Sequence, residues 1–251
     1  MSSRYFIQLA YNGTDYCGWQ KQPEDPSIQF DIEKTLSIIY NQPIQVVGCG
    51  RTDTGVHASE YFLHTDLPEK FQLKDLVYKL NNMLSKSIRI YNIIPVALEA
   101  HARFDALSRS YIYKLVFGKD PFNQDTVYRY DQSGRPDFNL MNQVAKLLLD
   151  YKEFLPFCKT HADNETNICD LSRSEWQAIS EHEWNFHVTS DRFLRGMVRL
   201  IVGMCLNVGL KRLTLDQVKS AMDNQVRLEK AWSVPAKGLY LSQVTYPYIE
   251  I

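Results

Sequence analysis

The sequence predicts an α+β protein made of two ferredoxin-like halves. Each half runs β-α-β-β-α-β with an antiparallel sheet, and the two are related by pseudo-symmetry with a cleft between them. Three observations carry this expectation. Short runs that alternate apolar and polar residues are interleaved with runs of helical spacing. The order of elements over residues 1–106 returns over residues 107–251. The chain has 251 residues, long enough for two packed units.

Taken in order, RYFIQLAY (4–11) alternates Tyr5, Ile7, Leu9 and Tyr11 on one face and reads as a strand. In SIQFDIEKTLSIIY (27–40), Ile28, Ile32, Leu36 and Ile39 recur at helical spacing behind Ser27, a suitable N-cap. VHASEYFLHT (56–65) is strand-like. LKDLVYKLNNML (73–84) carries a helical stripe at 73, 76, 77, 80, 83 and 84, and SIRIYNIIPVAL (87–98) follows as a strand. RSYIYKLVFG (109–118) opens the second half as a strand, and FNLMNQVAKLLLDY (138–151) places Leu140, Val144, Leu147 and Tyr151 on one helical face. Strands are expected at 169–179 and 183–190, an apolar helix at 194–209, a short helix TLDQVKSAMDN (214–224) and a terminal strand GLYLSQVTY (238–246). Two polar, turn-rich stretches, 118–137 and 157–167, are expected as surface loops.

Composition narrows the function classes. Hydrophobic residues make up 45% and charged residues 23%, as in ordinary globular proteins. The most apolar stretch, MVRLIVGMCLNVGL (197–210), is interrupted by Arg199 and Asn207, so it reads as a buried helix and not a membrane span. The amino terminus shows no long apolar signal region, which makes the cytoplasm the expected compartment, with no membrane partner. Five scattered cysteines without C-x-x-C spacing argue against a disulfide framework or a structural zinc site. A net charge of −1 does not announce a nucleic-acid partner, although it leaves room for a local basic groove.

The stretch GCGRTDTGVHA (48–58) raises a chemical question, since it sets Asp53 among three glycines with Arg51 two residues before it. One reading is purely structural: Gly48, Gly50 and Gly55 permit positive φ, Asp53 closes an Asx-turn and Arg51 pairs with a neighbour. The other is catalytic, because a tight turn holds a projecting carboxylate rigidly and a nearby arginine favours its ionised form. An aspartyl phosphate would want a second carboxylate for magnesium, but Thr54, Gly55 and Val56 follow. His57, Glu60 and His64 match no helical metal pattern, and on a strand positions 57 and 60 face opposite ways. Covalent attack by Asp53 on a carbon electrophile is the remaining chemistry.

GRTDTGVHA resembles the G-R-T-D-A-G-V-H-A motif of pseudouridine synthases, specifically the tRNA pseudouridine synthase A family. YNGTDYCGWQKQP (11–23) is similar to that family's opening motif, HARFDALSRSYIYKL (101–115) to its central strand, DRFLRGMVRLIVG (191–203) to its third motif and GLYLSQVTYP (238–247) to its closing strand. Thr54 departs from the usual alanine, Phe30 from a common glycine, and EFLPFC (153–158) from the family's usual run. The resemblance implies isomerisation of uridine to pseudouridine at positions 38, 39 and 40 of the tRNA anticodon stem and loop. It implies Asp53 as nucleophile, a flipped target base, no cofactor, no metal and a homodimer.

The same resemblance supplies further roles. Tyr111 corresponds to the active-site tyrosine, whose ring would stack on the uracil and whose hydroxyl would help remove the C5 proton. Arg51 would fill the space the flipped base leaves, Arg199 would form a salt bridge to the catalytic aspartate, and Leu241 of the closing strand would line the substrate site. Arg103, Arg109, Arg192 and Arg195, with Lys114, Lys211 and Arg212 nearby, would supply phosphate contacts. Two alternatives stand beside this reading: a non-catalytic RNA-binding protein with two RRM-like units, and a synthase with another RNA target.

Overall fold

The computed structural model describes residues 2–131, 134–159 and 166–249. In chain order it contains β1 (Ser2–Tyr11), α1 (Ile28–Tyr40), β2 (Val47–Gly48), β3 (His57–Pro68), α2 (Leu73–Met83) and β4 (Ile88–Pro95). β5 (Ser108–Phe117), β6 (Tyr128–Tyr130), α3 (Phe138–Leu147), β7 (Leu171–Ala178) and β8 (Glu183–Ser190) follow. α4 (Met197–Gly209), α5 (Leu215–Asp223) and β9 (Leu239–Thr245) complete the described elements of this α+β chain. Two compact units emerge: one reaches Leu107 and resumes at Tyr240, and the other is Ser108–Leu239.

In the first unit the strand order is β4-β1-β3, with β2 on β3. β1 runs antiparallel to both β3 and β4, which explains why Phe6, Ile7, Gln8 and Leu9 are all buried: a central strand is covered on both faces. Ser27 caps α1 by accepting the Phe30 N–H, and the stripe Ile28, Ile32 and Leu36 is fully buried. Asn81 of α2 clamps β4, its carboxamide pairing with the Ile90 N–H at 2.8 Å and carbonyl at 2.9 Å. Across β1 and β3, Arg4 holds Asp66 with two hydrogen bonds of 2.8 and 2.9 Å. β9 joins β3 in parallel, Tyr240 opposite His57 and Leu241 opposite Ala58.

In the second unit β8 lies between β5 and β7, antiparallel to both, and β6 pairs with β5 in parallel. Burial alternates residue by residue along β8, with Trp184, Phe186, Val188 and Ser190 inward. α4 is buried almost all round, matching its apolar sequence. Asn142 of α3 repeats the clamp of the first unit, bonding the Trp176 N–H at 2.7 Å and carbonyl at 2.9 Å.

Most boundaries fall within a few residues of those expected, and the exceptions have local causes. The apolar helix starts at Met197 and not at 194, because Gly196 takes φ +74° immediately before it. The helix from 138 gives way after Leu147 to a 3-10 turn at Leu148–Asp150. The expected loop 118–137 contains β6, and positions 132 and 133 lie outside the described residues, as do positions 160–165 of the loop 157–167. Four of the five cysteines are buried. Burial pushes the Cys169 and Cys205 thiols up to about 11 and about 12, so both stay protonated as packing residues. No helix among the described residues is long and apolar enough to cross a membrane.

Candidate functional site

The turn that carries Asp53 is built largely by backbone bonds from another motif. The Val56 N–H donates to the Asp53 carbonyl at 3.1 Å, closing a four-residue turn in which Gly55 takes φ +75°. Only Gly55 of the three glycines expected to use positive φ does so. Gly48 is required for a different reason, since a Cβ there would lie 2.0 Å from the Tyr61 hydroxyl. Gly18, at φ +93°, lets the segment 16–19 lie flat against the turn, and a Cβ there would meet the Thr52 carbonyl at 2.3 Å. Trp19 N–H donates to that carbonyl at 3.3 Å, and Gly55 N–H donates to the Tyr16 carbonyl at 3.2 Å. The motif YNGTDYCGW is therefore the template on which GRTDTG is shaped.

Side chains complete the support. The Tyr11 and Thr52 hydroxyls share a hydrogen bond of 2.8 Å, and the Tyr61 hydroxyl donates to the Gly50 carbonyl at 2.5 Å. The Trp19 indole, 2% exposed, stacks on Tyr61 with ring centroids 4.1 Å apart. With Thr52 and Val56 buried on either side, Asp53 is half-buried while Arg51 and Thr54 are exposed. A partly exposed carboxylate on an immobilised backbone can act as a nucleophile or a base toward a ligand entering from solvent.

His57 and His64 are committed elsewhere. His57 Nδ1 accepts the Gly13 N–H at 3.0 Å, and its ring stacks on Tyr240 at 4.7 Å. His64 Nδ1 accepts the Ala102 N–H at 3.0 Å, and burial lowers its pKa to about 4. Glu60 binds the Gln8 carboxamide and the Val244 N–H. These three residues build structure, and no metal-holding cluster occurs among the described residues.

The second unit positions its candidates on regular elements. Tyr111 is half-buried on β5 opposite Val188 and meets the Phe193 ring edge-on at 5.1 Å. Tyr113, on the same face two residues on, is fully buried and donates its hydroxyl to the Pro235 carbonyl at 2.8 Å. Burial raises its pKa well above the ordinary tyrosine value. Arg199, half-buried on α4, gives its Nε–H to the adjacent Val234 carbonyl at 2.6 Å.

The predicted basic residues divide between the units. Arg109 donates to the Asp191 carbonyl at 3.0 Å, which places it against the segment 191–196 that also carries Arg192, Phe193 and Arg195. The Asp191 carboxylate anchors that segment, accepting from the Asp170 and Arg192 amides at 2.7 Å each. Tyr111, Arg109 and the DRFLR segment thus form one neighbourhood. Arg103 is exposed in the first unit. Leu241 is buried, beside the start of β3 that follows the Asp53 turn. Of these supports the sequence marks His57 alone, as a metal-ligand candidate and not as a structural residue; nothing in the sequence points to the supporting roles of Tyr11, Thr52 and Tyr61, and the two tyrosines lie in aromatic strand positions that look like ordinary core.

Comparison with known proteins places these features in context. A family model described as tRNA pseudouridine synthase matches residues 145–247. The chain is 46% identical over 247 residues to the tRNA pseudouridine synthase A of Parabacteroides distasonis, covering 97% of this chain and 96% of the relative. It is 44% identical to the protein of that name from Porphyromonas gingivalis, covering 98% of each. The counterpart from Clostridium acetobutylicum is 35% identical, with 96% of this chain and 98% of that one covered.

Proposed function

The chain belongs to the tRNA pseudouridine synthase A family, an isomerase acting on tRNA uridine, and from that premise we propose that Asp53 is its nucleophile and that its targets are uridines 38, 39 and 40 of the anticodon stem and loop. The reaction breaks the N1–C1′ bond, turns the uracil and joins C5 to C1′. N1 gains a proton and C5 loses one, so no external reactant is consumed. The target base flips out of its stack before reaction. Asp53 attacks the target nucleotide, Arg51 occupies the vacated space in the RNA, and Leu241 lines the substrate side.

In the same reading the Tyr111 ring stacks on the uracil and its hydroxyl takes the C5 proton. Arg199 is the cation that keeps the reacting carboxylate ionised. Arg103, Arg109, Arg192 and Arg195 bind phosphates. The enzyme works as a cytoplasmic homodimer of two ferredoxin-like halves without cofactor or metal; the first unit's strand order β4-β1-β3, with β2 also pairing with β3, supports that description of its half.

The observation that carries the mechanism is the Asp53 turn, in which two glycine motifs and three hydroxyl groups fix the backbone that bears one half-buried aspartate. Mapping pseudouridine in tRNA from cells with and without the protein tests the target. Loss of the modified base at positions 38–40 alone is expected, and loss elsewhere with 38–40 intact would refute it.

A further inference from the structure

The turn His101–Asp105 holds a phenylalanine outward where no packing requires it. Phe104 is 73% exposed, although a phenylalanine gains most from burial. Its turn has no slack with which to bury it. The His101 N–H donates to Asp105 Oδ2 at 2.7 Å, and the Asp105 N–H returns to the His101 carbonyl at 3.1 Å. His101 Nδ1 accepts the amides of Arg103 and Phe104 at 3.1 and 3.2 Å. Ala102 is locked on both sides, its N–H on His64 Nδ1 at 3.0 Å and its carbonyl under the Tyr246 hydroxyl at 2.6 Å. The Tyr248 hydroxyl donates to Asp105 Oδ2 at 2.6 Å.

The ring presented this way has a defined surrounding. The His101 imidazole lies against it, centroids 4.3 Å apart and planes 29° from parallel. The Arg103 guanidinium sits 5.5 Å from its centre. Its acidic neighbour Asp105 is turned into the loop's own hydrogen bonds. A preordered, solvent-facing aromatic ring beside a guanidinium is the combination that holds unstacked bases in single-stranded nucleic acid.

We propose that Phe104 is a base-stacking residue for the RNA substrate, its exposed ring taking an unpaired nucleobase while Arg103 faces the adjoining phosphate. The inference rests on the tRNA-modifying function and extends it to a residue not among those assigned above. A second copy of the chain is the competing occupant, because Leu98 and Leu107 are also exposed. Stacking needs a π face whatever its substituents, whereas an apolar protein interface is satisfied by any bulky side chain.

The test compares Phe104→Ala, Phe104→Leu and Phe104→Tyr in steady-state turnover of tRNA, with tRNA affinity across a salt series and the solution mass of each variant. Phe104→Ala and Phe104→Leu are expected to raise KM about tenfold at unchanged kcat, and Phe104→Tyr to restore it. The dependence of log affinity on log salt should stay as in the wild type, while Arg103→Ala should reduce its slope by about one. Unchanged KM in Phe104→Ala, full function in Phe104→Leu, or a change of solution mass that accounts for the affinity loss would overturn the proposal. The wild-type arm separates the two levels: no pseudouridine formed in tRNA by the wild type would refute the parent function, independently of Phe104.

Discussion

The turn around Asp53 and the elements that carry Tyr111 and Arg199 solve the same problem, fixing a side chain, by different means. The turn has no periodic structure, so its shape is imposed by contacts with residues 11–19 and by two glycines that admit those contacts. Tyr111 and Arg199 inherit their directions from a strand and a helix, whose own backbone bonds fix the geometry. A loop held in this way is precise but brittle, because every support is also a packing constraint. A residue on a regular element is less exacting, and a change there acts mainly through the side chain itself.

The largest effect is expected where the chemistry of the turn changes and its shape does not. Asp53→Asn preserves volume and is expected to lower pseudouridine formation by at least about a thousandfold, with thermal stability and tRNA affinity close to wild type. Assays of all three quantities on one preparation decide it, and wild-type turnover in the variant would remove Asp53 from the mechanism.

Changing shape without touching the carboxylate should come second. Gly18→Ala puts a methyl group 2.3 Å from the Thr52 carbonyl at a φ of +93°, so both the turn and its template must shift. A loss of about 3 kcal/mol in unfolding free energy is expected, together with most of the activity. Denaturant unfolding and turnover measured together check this. A stable, active Gly18→Ala enzyme would show that the turn does not depend on its template.

The same contrast explains what was legible in the sequence. Hydrophobic period found most of the described helices and the longer strands because their burial faces are regular, as in α1 and α4. It missed β2 and β6, two and three residues long, which are defined by their pairing partners. It also could not tell that β9 pairs with β3, since nothing local in GLYLSQVTY specifies a neighbour. The glycines and the motif mark Asp53 as a candidate, but Gly48 and Gly50 do not take the positive φ that such a turn suggests. The supports Tyr11, Thr52 and Tyr61 are visible only once the chain is folded.

On the regular-element side of the comparison, Tyr111→Phe keeps the ring against Phe193 and removes only the hydroxyl. Stability and tRNA binding should be unaffected and turnover should fall by about tenfold to a hundredfold. Single-turnover rates at saturating enzyme isolate that step. Full turnover in the variant would leave Tyr111 as a packing residue.

The smallest effect contrasts how the two units hold a backbone amide. In the first, Ala102 N–H is held by His64 Nδ1; in the second, Trp176 N–H is held by Asn142 Oδ1, which does not titrate. Burial, reinforced by His101, lowers the His64 pKa from 6.5 to about 4. The neutral imidazole is therefore the form the fold prefers. Its contribution is complete above pH 6.5 and is lost as the pH falls from 6.5 toward about 4, because the opened state takes up a proton that the closed state refuses. Hydrogen-exchange protection of Ala102, corrected for intrinsic rate, should fall by about tenfold or more across that interval. Trp176 should hold steady, as should Ile90, whose amide is clamped by Asn81 within the first unit. Ile90 makes the experiment discriminating, since a general acid weakening of the first unit would expose both of its amides alike. If Ala102 and Ile90 lose protection in parallel, His64 is not the sensitive joint; if Ala102 alone gives way, the turn bearing Phe104 is tied down by a bond that acid can cut.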